Sequence, residues 1–469
     1  MPDHNLLVLS DVHLGSDLVH CARPDAPRRD GTDDKRDYQL ASLFDWYREH
    51  PHGGRKWRLV IAGDFVDFVG MSIPAPSGRM STPLDAEEIA LGLGGAEDHT
   101  IHKLRCVARR HRAVFEALAR FIEAGNTVVV VRGNHDVDFH WPSVQDEFVR
   151  QLAMHARIER GRVEFSPWFY YEKDRVFVEH GHQYDSYCSY DHVLNPVSPK
   201  DPRRSSRSLS DILLRHVVRP TRGLLETGHE SAGLRDYLAF GLRLGLRGAG
   251  NLFARFVGAV ARLFGMWREH ASDGARRLRQ HHERRMAELA GMLDLQLESL
   301  RALASLQRPP VTQSFGHLTL AVMLDRIVLS LLAVGAVSLA VLLFPWLHGI
   351  IAAVLICLFL AGTSAALSHW RQHIDPSSEL RERATRVARL FPAAFVVMGH
   401  THLPEVRAGG RNESTYVNLG AWADGDEGRA DGGSRTHFVV HAGDDGRSTA
   451  ELRIWDAETG PRQFISAGG

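Results

Sequence analysis

The segment VVVVRGNHD, residues 128–136, joins a strand pattern to a turn that carries polar side chains. Its run of valines predicts a buried strand, because β-branched residues in a short apolar run are typical of strands packed on both faces. Gly133 allows the sharp turn that follows. Asn134, His135 and Asp136 come next, so the segment presents an amide, an imidazole and a carboxylate at one strand end.

Four further segments repeat this arrangement of apolar strand, abrupt turn and polar residues. They are residues 8–13 (VLSDVH), 61–67 (IAGDFVD), 178–182 (VEHGH) and 397–402 (VMGHTH). Asp11 and His13 are two residues apart, which on an extended chain turns both side chains to the same side. A single Asp-x-His or His pair is more typical of surface or core residues, but five such segments at strand ends favour one shared site.

The residue types in these segments indicate the chemistry of that site. Carboxylates, imidazoles and an amide oxygen suit Mn, Fe, Zn and Co, and two such ions that share a carboxylate lie about 3.5–4 Å apart. A pair of cations lowers the pKa of a water that bridges them, so that hydroxide is available near pH 7. We find no convincing Ser or Cys nucleophile motif and no GxxxxGK[ST] phosphate loop in the sequence.

The composition is that of a globular protein with a sizeable core. Of 469 residues, 44% are hydrophobic and 24% are charged, which excludes a disordered or fibrous chain. The 56 basic residues balance the 56 acidic ones, so a globally basic nucleic-acid-binding protein is disfavoured. Four cysteines without a CxxC pair predict reduced thiols in a protein that faces the cytosol.

Strand and helix patterns divide the chain into four parts. Strands alternate with helices over residues 1–200, which predicts an α/β or layered α+β core. Residues 201–320 carry Arg-rich helical patterns, residues 321–370 are strongly apolar, and strand patterns return within residues 385–469. The core is therefore expected to be discontinuous, with an Arg-rich helical insert and an apolar segment between its two parts.

The apolar segment predicts a pair of membrane-spanning helices. Residues 327–367 contain no Asp, Glu, Lys or Arg, and they form two apolar runs, 327–347 and 350–367. Each run is close to the roughly 20 residues that a membrane-spanning helix needs, and the break between them predicts a helical hairpin. A pair of buried core helices is the alternative reading.

Arginines set the expected orientation. They flank the hairpin on both sides and are missing from its turn, so the positive-inside rule predicts that both flanks lie in the cytoplasm. The expected location is the cell (inner) membrane, with the catalytic domain on the cytoplasmic side. The stretch 236–264 sets Leu, Phe and Val against periodic Arg, which fits either an ordinary helical subdomain or a helix on an anionic membrane surface with its Arg heads in water.

Together, the DVH, GDFVD, GNHD, HGH and GHTH motifs resemble those of the calcineurin-like metallophosphoesterases, in the same order. The resemblance covers about residues 5–195 and 390–455. It implies a four-layered α/β/β/α sandwich and a site for two divalent metal ions (Mn, Fe, Zn or Co, with Mn favoured). It also implies hydrolysis of a phosphoester or diphosphate bond without a covalent enzyme intermediate.

Residue roles follow from the same resemblance. The first metal would be held by Asp11, His13, Asp64 and His402. The second would be held by Asp64, Asn134, His180 and His400, with His182 as the alternative to His180. His135 would be the general acid that protonates the leaving group, and Asp136 would be the carboxylate that orients it. Arg132 and Tyr184 lie next to these motifs and are predicted substrate contacts.

The sequence therefore predicts a membrane-anchored phosphohydrolase that acts on a phosphorylated small molecule or lipid. Its motifs are similar to those of the bacterial UDP-2,3-diacylglucosamine hydrolases, although these are much shorter and their GN segment usually continues with Arg where this chain has His135. A nuclease of the same superfamily and a non-catalytic scaffold are further alternatives. The physiological substrate, the role of the insert and the oligomeric state stay open.

Overall fold

The computed structural model describes residues 3–19, 32–78, 80–221, 245–343, 345–370, 376–409, 413–422, 435–443 and 448–465. The strands in these residues are β1 (His4–Leu9), β2 (Lys56–Ala62), β3 (Thr127–Val131), β4 (Val163–Ser166), β5 (Phe169–Glu172), β6 (Val176–Glu179), β7 (Phe395–Met398), β8 (Glu405–Arg407), β9 (Thr415–Asn418), β10 (Thr436–Ala442), β11 (Ser448–Ile454) and β12 (Arg462–Gln463). The α-helices are α1 (Thr32–Glu49), α2 (Ala86–Leu91), α3 (Glu97–Arg110), α4 (Arg112–Glu123), α5 (Pro142–Ala153), α6 (Leu209–Leu213), α7 (Gly245–Glu269), α8 (Asp273–Met292), α9 (Leu297–Leu306), α10 (Phe315–Ala321), α11 (Leu324–Leu343), α12 (Trp346–Trp370) and α13 (Pro376–Leu390).

Two sheets form the centre of the molecule. The seven-stranded sheet has the order β12-β11-β10-β1-β2-β3-β4, and the five-stranded sheet has the order β5-β6-β7-β9-β8. Strands β1 to β4 run parallel to one another, and so do β6, β7 and β9. Because the carboxyl ends of parallel strands meet at one edge of a sheet, the turns after β1, β2 and β3 lie side by side, as do those after β6 and β7.

The alternation of side chains along the strands divides the core into layers. In β1, Leu6 and Val8 pack between the two sheets with valines of β2, β3, β6 and β7. Leu7 and Leu9 instead face α1, α3, α4 and α5 on the outer side of the seven-stranded sheet. Helices α8, α9 and α13 cover the outer side of the other sheet. These layers agree with the expected α/β/β/α sandwich.

The helices of the predicted insert belong to two different layers. Helices α8 and α9 pack on the five-stranded sheet through residues such as Met286, Leu289 and Leu300, so they are part of the sandwich. Helices α6, α7 and α10 form a separate apolar cluster that includes Leu263. An amphipathic pattern identifies an apolar face but not the surface that covers it, which is why the sequence did not distinguish the two. Residues 236–244 of the predicted amphipathic stretch lie outside the described residues.

Helices α11 and α12 pack against each other and expose apolar side chains. The window Trp346–Thr363 in α12 is long and apolar enough to cross a membrane, with a mean hydropathy of 2.1 and none of its residues buried. Helix α11 holds the shorter apolar stretch Leu331–Ala340. In the part of the chain that the structure describes, one helix rather than two therefore meets the requirement by length and composition, and the membrane hairpin stays a prediction.

Candidate metal centre

The backbone at five predicted metal ligands is in the left-handed region. Asp11, His13, Asp64, His400 and His402 all have positive φ, between 51° and 71°. Residues other than glycine seldom adopt this region, and such strain concentrates at functional sites. The expectation of an extended backbone at Asp11 and His13 is therefore wrong, because the chain turns sharply at each of them as it leaves β1.

Three glycines make room for these ligands. A Cβ on Gly63 would lie 2.6 Å from Cγ of His180. A Cβ on Gly133 would collide with the carboxylate of Asp64, and one on Gly399 would collide with that of Asp11. Each collision joins two different motifs. The glycine of one motif is thus needed because a ligand from another motif passes directly over it.

One group of ligands surrounds Asp11. The Nε2 atom of His402 lies 3.3 Å from Oδ1 of Asp11, and that of His13 lies 3.9 Å from the same oxygen. His13 Nε2 is also 3.8 Å from Oδ2 of Asp64. The donor atoms of Asp11, His13 and His402 all lie within 4.8 Å of one another. The structure thus brings together the four residues predicted for the first metal.

The second group lies on the other side of Asp64. Nε2 of His180 is 3.2 Å from Oδ2 of Asp64 and 3.1 Å from Oδ1 of Asn134. Nδ1 of His180 lies 2.9 Å from the carbonyl oxygen of Ala62. Because a carbonyl can only accept, Nδ1 carries the proton, and Nε2 is the nitrogen available to a metal. Oδ2 of Asp64 therefore faces a histidine of each group, as a shared carboxylate requires.

His400 stands next to the second group. Its ring centroid is 5.3 Å from that of His180, and its Nε2 lies 3.2 Å from Oδ2 of Asp185. Since Asp185 occupies Nε2, Nδ1 is the nitrogen that a metal could use. His182, the alternative ligand, is buried with its Nε2 at 2.9 Å from Nε2 of Gln183. His180, which contacts Asp64 and Asn134, fits the site better.

The donor atoms present fit divalent cations. Asp11 Oδ1 and His13 Nε2 are buried and have no hydrogen-bond partner among the described residues. Burying such atoms without a partner costs free energy, and a bound cation would offset that cost. Burial, followed by the charge of His135, lowers the pKa of His13 to about 4, so His13 is neutral at pH 7, the form that binds a metal. Burial acts to raise the pKa of Asp11, but His180 and His402 together outweigh it and the pKa falls to about 2.

Asp67, rather than Asp136, orients His135. Nδ1 of His135 lies 2.8 Å from Oδ1 of Asp67. The carboxylate of Asp136 instead accepts hydrogen bonds from the backbone N–H of Phe65 at 2.9 Å and of Gly133 at 2.6 Å. The expectation that Asp136 orients His135 is corrected accordingly: Asp136 fastens the turns after β2 and β3 to each other.

The two predicted substrate contacts lie elsewhere. Arg132 is buried and donates to the backbone carbonyls of Pro167, at 2.8 Å, and Val193. Tyr184 is fully buried in the core on the outer side of the five-stranded sheet. Burial, followed by the charge of Glu179, holds the pKa of Tyr184 well above its ordinary value. Both residues therefore support the fold, and the prediction of substrate contact is corrected for each.

Three further polar residues lie near the site. The sequence favours Asp67, the last residue of GDFVD, as a neighbour of the ligands rather than a ligand, and Asp185, which follows HGH, as a residue that could line the pocket. The sequence did not assign their partners, His135 and His400. Arg219 was not predicted at all. Arg219 lies 2.7 Å from Oδ2 of Asp67 through its Nη2. It comes from the helical region after residue 201, where no motif marks it. Only the fold brings it to the site.

A model of the calcineurin-like phosphoesterase family matches residues 4–253, more than half of the 469 residues. None of the curated proteins matches the chain significantly. The matched region runs from β1 past β6 and includes Asp11, His13, Asp64, Asn134 and His180, whereas β7 and the two histidines that follow it lie beyond. This chain belongs to the calcineurin-like phosphoesterase family, and the family implies metal-dependent hydrolysis of phosphoesters.

Proposed function

We propose that the protein is a membrane-anchored phosphohydrolase that uses two divalent metal ions to cleave a phosphoester or diphosphate bond in an amphiphilic substrate. The observation that carries this proposal is the convergence of ligands from separate strand ends on Asp11 and Asp64. Among the described residues, the buried atoms Asp11 Oδ1 and His13 Nε2 have no hydrogen-bond partner. Manganese is the favoured ion, because the donor set mixes carboxylate and amide oxygens with imidazoles.

The chain's own residues divide into two sets of ligands around a shared carboxylate. One ion would be held by Asp11, His13 and His402. The other would be held by Asn134, His180 and His400. Asp64 lies between the sets and would bridge them. When bound, the ions supply positive charge for the phosphoryl oxygens and make hydroxide available near neutral pH.

His135 is the group that we assign to protonation of the leaving group. Its ring centroid lies 4.6 Å from that of His13, so it borders the first set of ligands. Burial alone lowers the pKa of His135, but the charges of Asp67 and Asp64 outweigh it and raise the pKa to about 10. The charge of Asp67, which is not a predicted metal ligand, favours the protonated ring. With Nδ1 held by Asp67, the Nε2–H is left to donate to a departing oxygen.

The exposed faces of α11 and α12 support a membrane anchor. Leu342 is 81% exposed in α11, and Trp346 and Phe359 are 78% and 73% exposed in α12. Soluble monomers seldom expose a continuous apolar surface of this kind, and such surfaces mark contact with a membrane or another protein. The proposed location is therefore the cell (inner) membrane, with the catalytic domain on the cytoplasmic side.

Helix α7 supports the same assignment through an exposed strip that is mostly apolar. The strip includes Gly250, Phe253, Ala254, Val257, Gly258 and Ala261, together with Asn251, and the exposed arginines Arg247 and Arg268 lie near the two ends of the helix. Arg255 and Arg262 pair with the hydroxyl of Thr221 and the carboxylate of Glu269. A helix face that meets water usually carries charged and polar residues. We propose that this apolar face rests at the headgroup boundary of the same bilayer.

The proposed position at a bilayer surface favours an amphiphilic substrate that carries a phosphate on a lipid. A catalytic domain held at a bilayer surface meets phosphates that are carried on lipids, and a lipid-linked diphosphate of the UDP-2,3-diacylglucosamine type is one member of that class. The full chain in phospholipid vesicles with Mn²⁺ should therefore hydrolyse a lipid diphosphate faster than a water-soluble nucleotide or phosphomonoester.

The matched control is Asp64→Ala, which removes the shared carboxylate and should abolish turnover on every substrate. Faster hydrolysis of the soluble nucleotide by the wild type would overturn the lipid assignment alone. Loss of all hydrolysis with Mn²⁺, Fe²⁺, Zn²⁺ and Co²⁺ in turn would overturn the enzymatic function.

A further inference from the structure

Arg219 links the helical insert to the pair formed by His135 and Asp67. Its Nη2 donates to Oδ2 of Asp67 at 2.7 Å, and its Nη1 donates to the backbone carbonyl of Ser16 at 3.0 Å. The arginine is buried, with 7% of its surface exposed. Oδ1 of Asp67 is 2.8 Å from Nδ1 of His135. One carboxylate is thus held on one oxygen by the insert and on the other by the predicted general acid.

The backbone segment before Arg219 determines where its side chain lies. Arg219 follows a π-helical turn, Leu214–Val218, directly after α6. Such turns are rare and are frequently found at functional sites. Helix α6 itself begins with a capping box in which Ser208 and Asp211 bond each other's backbone N–H, and this fixes the start of the segment.

The end of the segment is fixed from α7. Arg255 donates to Oγ1 of Thr221 at 2.8 Å, and the same hydroxyl donates to the carbonyl of Val217 at 2.6 Å. On the other side, a Cβ on Gly70 would collide with the carboxylate of Asp67 and would lie 2.7 Å from Nη2 of Arg219. The contact therefore depends on groups from both the insert and the core.

The ion pair between Arg219 and Asp67 determines which carboxylate oxygen accepts from His135. Asp67 is fully buried, and a buried carboxylate needs its charge and lone pairs satisfied. Arg219 satisfies Oδ2, while Oδ1 accepts from His135 and from the backbone N–H of Gly70 at 2.8 Å. With Arg219 absent, Oδ2 would lose this partner and the N–H of Gly70 would hold Oδ1 alone, so the carboxylate and the His135 ring would be less firmly oriented.

We propose that Arg219 is a positioning residue for leaving-group protonation: it holds Asp67 so that His135 points at the departing oxygen. This inference rests on the proposed function of His135. It gives the insert a place in the reaction, because a residue outside the two-sheet core completes the orientation of the general acid.

The test compares two esters with different leaving groups. An alkyl phosphate needs a proton on its leaving oxygen, whereas a p-nitrophenyl phosphate departs readily without one. Arg219→Gln in the full chain should lower kcat for the alkyl ester by about 10- to 100-fold and leave kcat for the aryl ester within a few-fold. KM should stay nearly unchanged for both, and Arg219→Lys should restore part of the loss because it keeps the charge.

Arg215→Gln is the matched structural control. Arg215 lies in the same π-helical turn and is also buried, but it pairs with Glu87 and with the carbonyl of Gly92. If this variant loses activity, the loss should be equal for the two esters. If Arg219→Gln lowered kcat equally for the two esters, the positioning role would be overturned, but the proposed function would not. A wild-type chain that is inactive toward both esters and toward the lipid diphosphate would overturn the proposed function and this inference with it.

Discussion

Alanine substitutions at Gly63 and Gly54 distinguish two effects of an added Cβ: strain in the backbone and a steric clash at the metal centre. Both have left-handed φ, 87° and 71°, but a Cβ on Gly63 would meet the His180 ring, whereas one on Gly54 would have nothing within 4 Å. Gly54→Ala should cost about 1 kcal/mol of stability from strain alone and keep its metal. Gly63→Ala should lose metal and activity together.

Metal content by atomic absorption, with the free energy of unfolding from urea titration, checks this comparison. Full metal occupancy in Gly63→Ala would contradict the crowded geometry at His180.

His135 can be removed without touching a predicted ligand. His135→Gln should lower kcat by about 10²–10⁴-fold, the range expected for a positioned general acid, while the bound metal is retained. The expectation follows because the carboxylates and the other imidazoles stay in place. Turnover and metal content, measured on the same preparation, test it. Unchanged turnover would remove His135 from the mechanism, and loss of the metal would make it structural.

His437, which is not a predicted metal ligand, makes the free energy of unfolding depend on pH. It is fully buried in β10, with Nε2 at 2.8 Å from the hydroxyl of Tyr47. Burial, followed by the charge of Arg453, lowers the pKa of His437 to about 3. The unfolded chain binds this proton at about pH 6.5, so the stability that His437 adds is complete above that pH and is lost as the pH falls toward 3.

His437→Gln should therefore flatten the fall in the free energy of unfolding between roughly pH 6 and pH 4, by up to about 1.4 kcal/mol per pH unit. Urea titrations at several pH values measure that slope. An unchanged slope would mean that other groups dominate acid unfolding.

At the scale of elements, the anchoring role of α12 can be tested by placing charges on its exposed face. Leu355 and Phe359 are exposed, and each charged residue near the middle of a spanning helix costs about 2.5–3.5 kcal/mol. The double variant Leu355→Arg, Phe359→Arg should be released from membranes by alkaline carbonate, whereas the wild type stays. Hydrolysis of a soluble ester should be unaffected.

The control for that experiment places arginines on exposed polar positions of α8, as Gln280→Arg with Glu288→Arg. This variant should pellet with membranes like the wild type. A wild-type chain that carbonate releases would end the anchor proposal.

The strands and the turns that end them were predictable from the sequence, but the conformation within the turns was not. Apolar runs followed by glycine place the strand ends correctly, because burial and turn formation are local signals. The left-handed φ of Asp11 and His13 depends on ligands from other motifs that crowd the same space. Pairing of His135 with Asp67 instead of Asp136 was missed for the same reason, since the fold decides which of two nearby carboxylates reaches the ring.

At the scale of the whole molecule, bound metal should stabilise the fold. The predicted ligands come from residues 11 to 402, so ions bind the folded chain and not the unfolded one. A free metal concentration of 100 times Kd adds about 2.7 kcal/mol. Chelation should lower the Tm of the wild type, and Mn²⁺ should restore it. The Tm of Asp64→Ala should respond to neither, and an equal response of both proteins would place the stabilising metal elsewhere.

The sandwich could be predicted as a whole, but its outer layers could not be assigned. The motifs indicated two sheets with their ends at one site, and the structure has them. Helices α8 and α9 cover the five-stranded sheet, whereas α7 packs with α6 and α10, and no sequence pattern distinguishes these two positions. All three helices are amphipathic, and α7 and α8 are also rich in arginine. An amphipathic pattern identifies the apolar face of a helix but not the surface that covers it. Arg219 was missed on the same ground.

Strand β1 pairs with β2 on one side and with β10 on the other, and the backbone carbonyl of Asp11 accepts from the N–H of Trp422. During translation, β1 and β2 leave the ribosome early, yet β10, His400 and His402 follow only after α11 and α12 have been made. A nascent chain thus carries a half-built centre until its apolar helices have already emerged. Hydrolysis would therefore begin only after both apolar helices of the proposed anchor have been made.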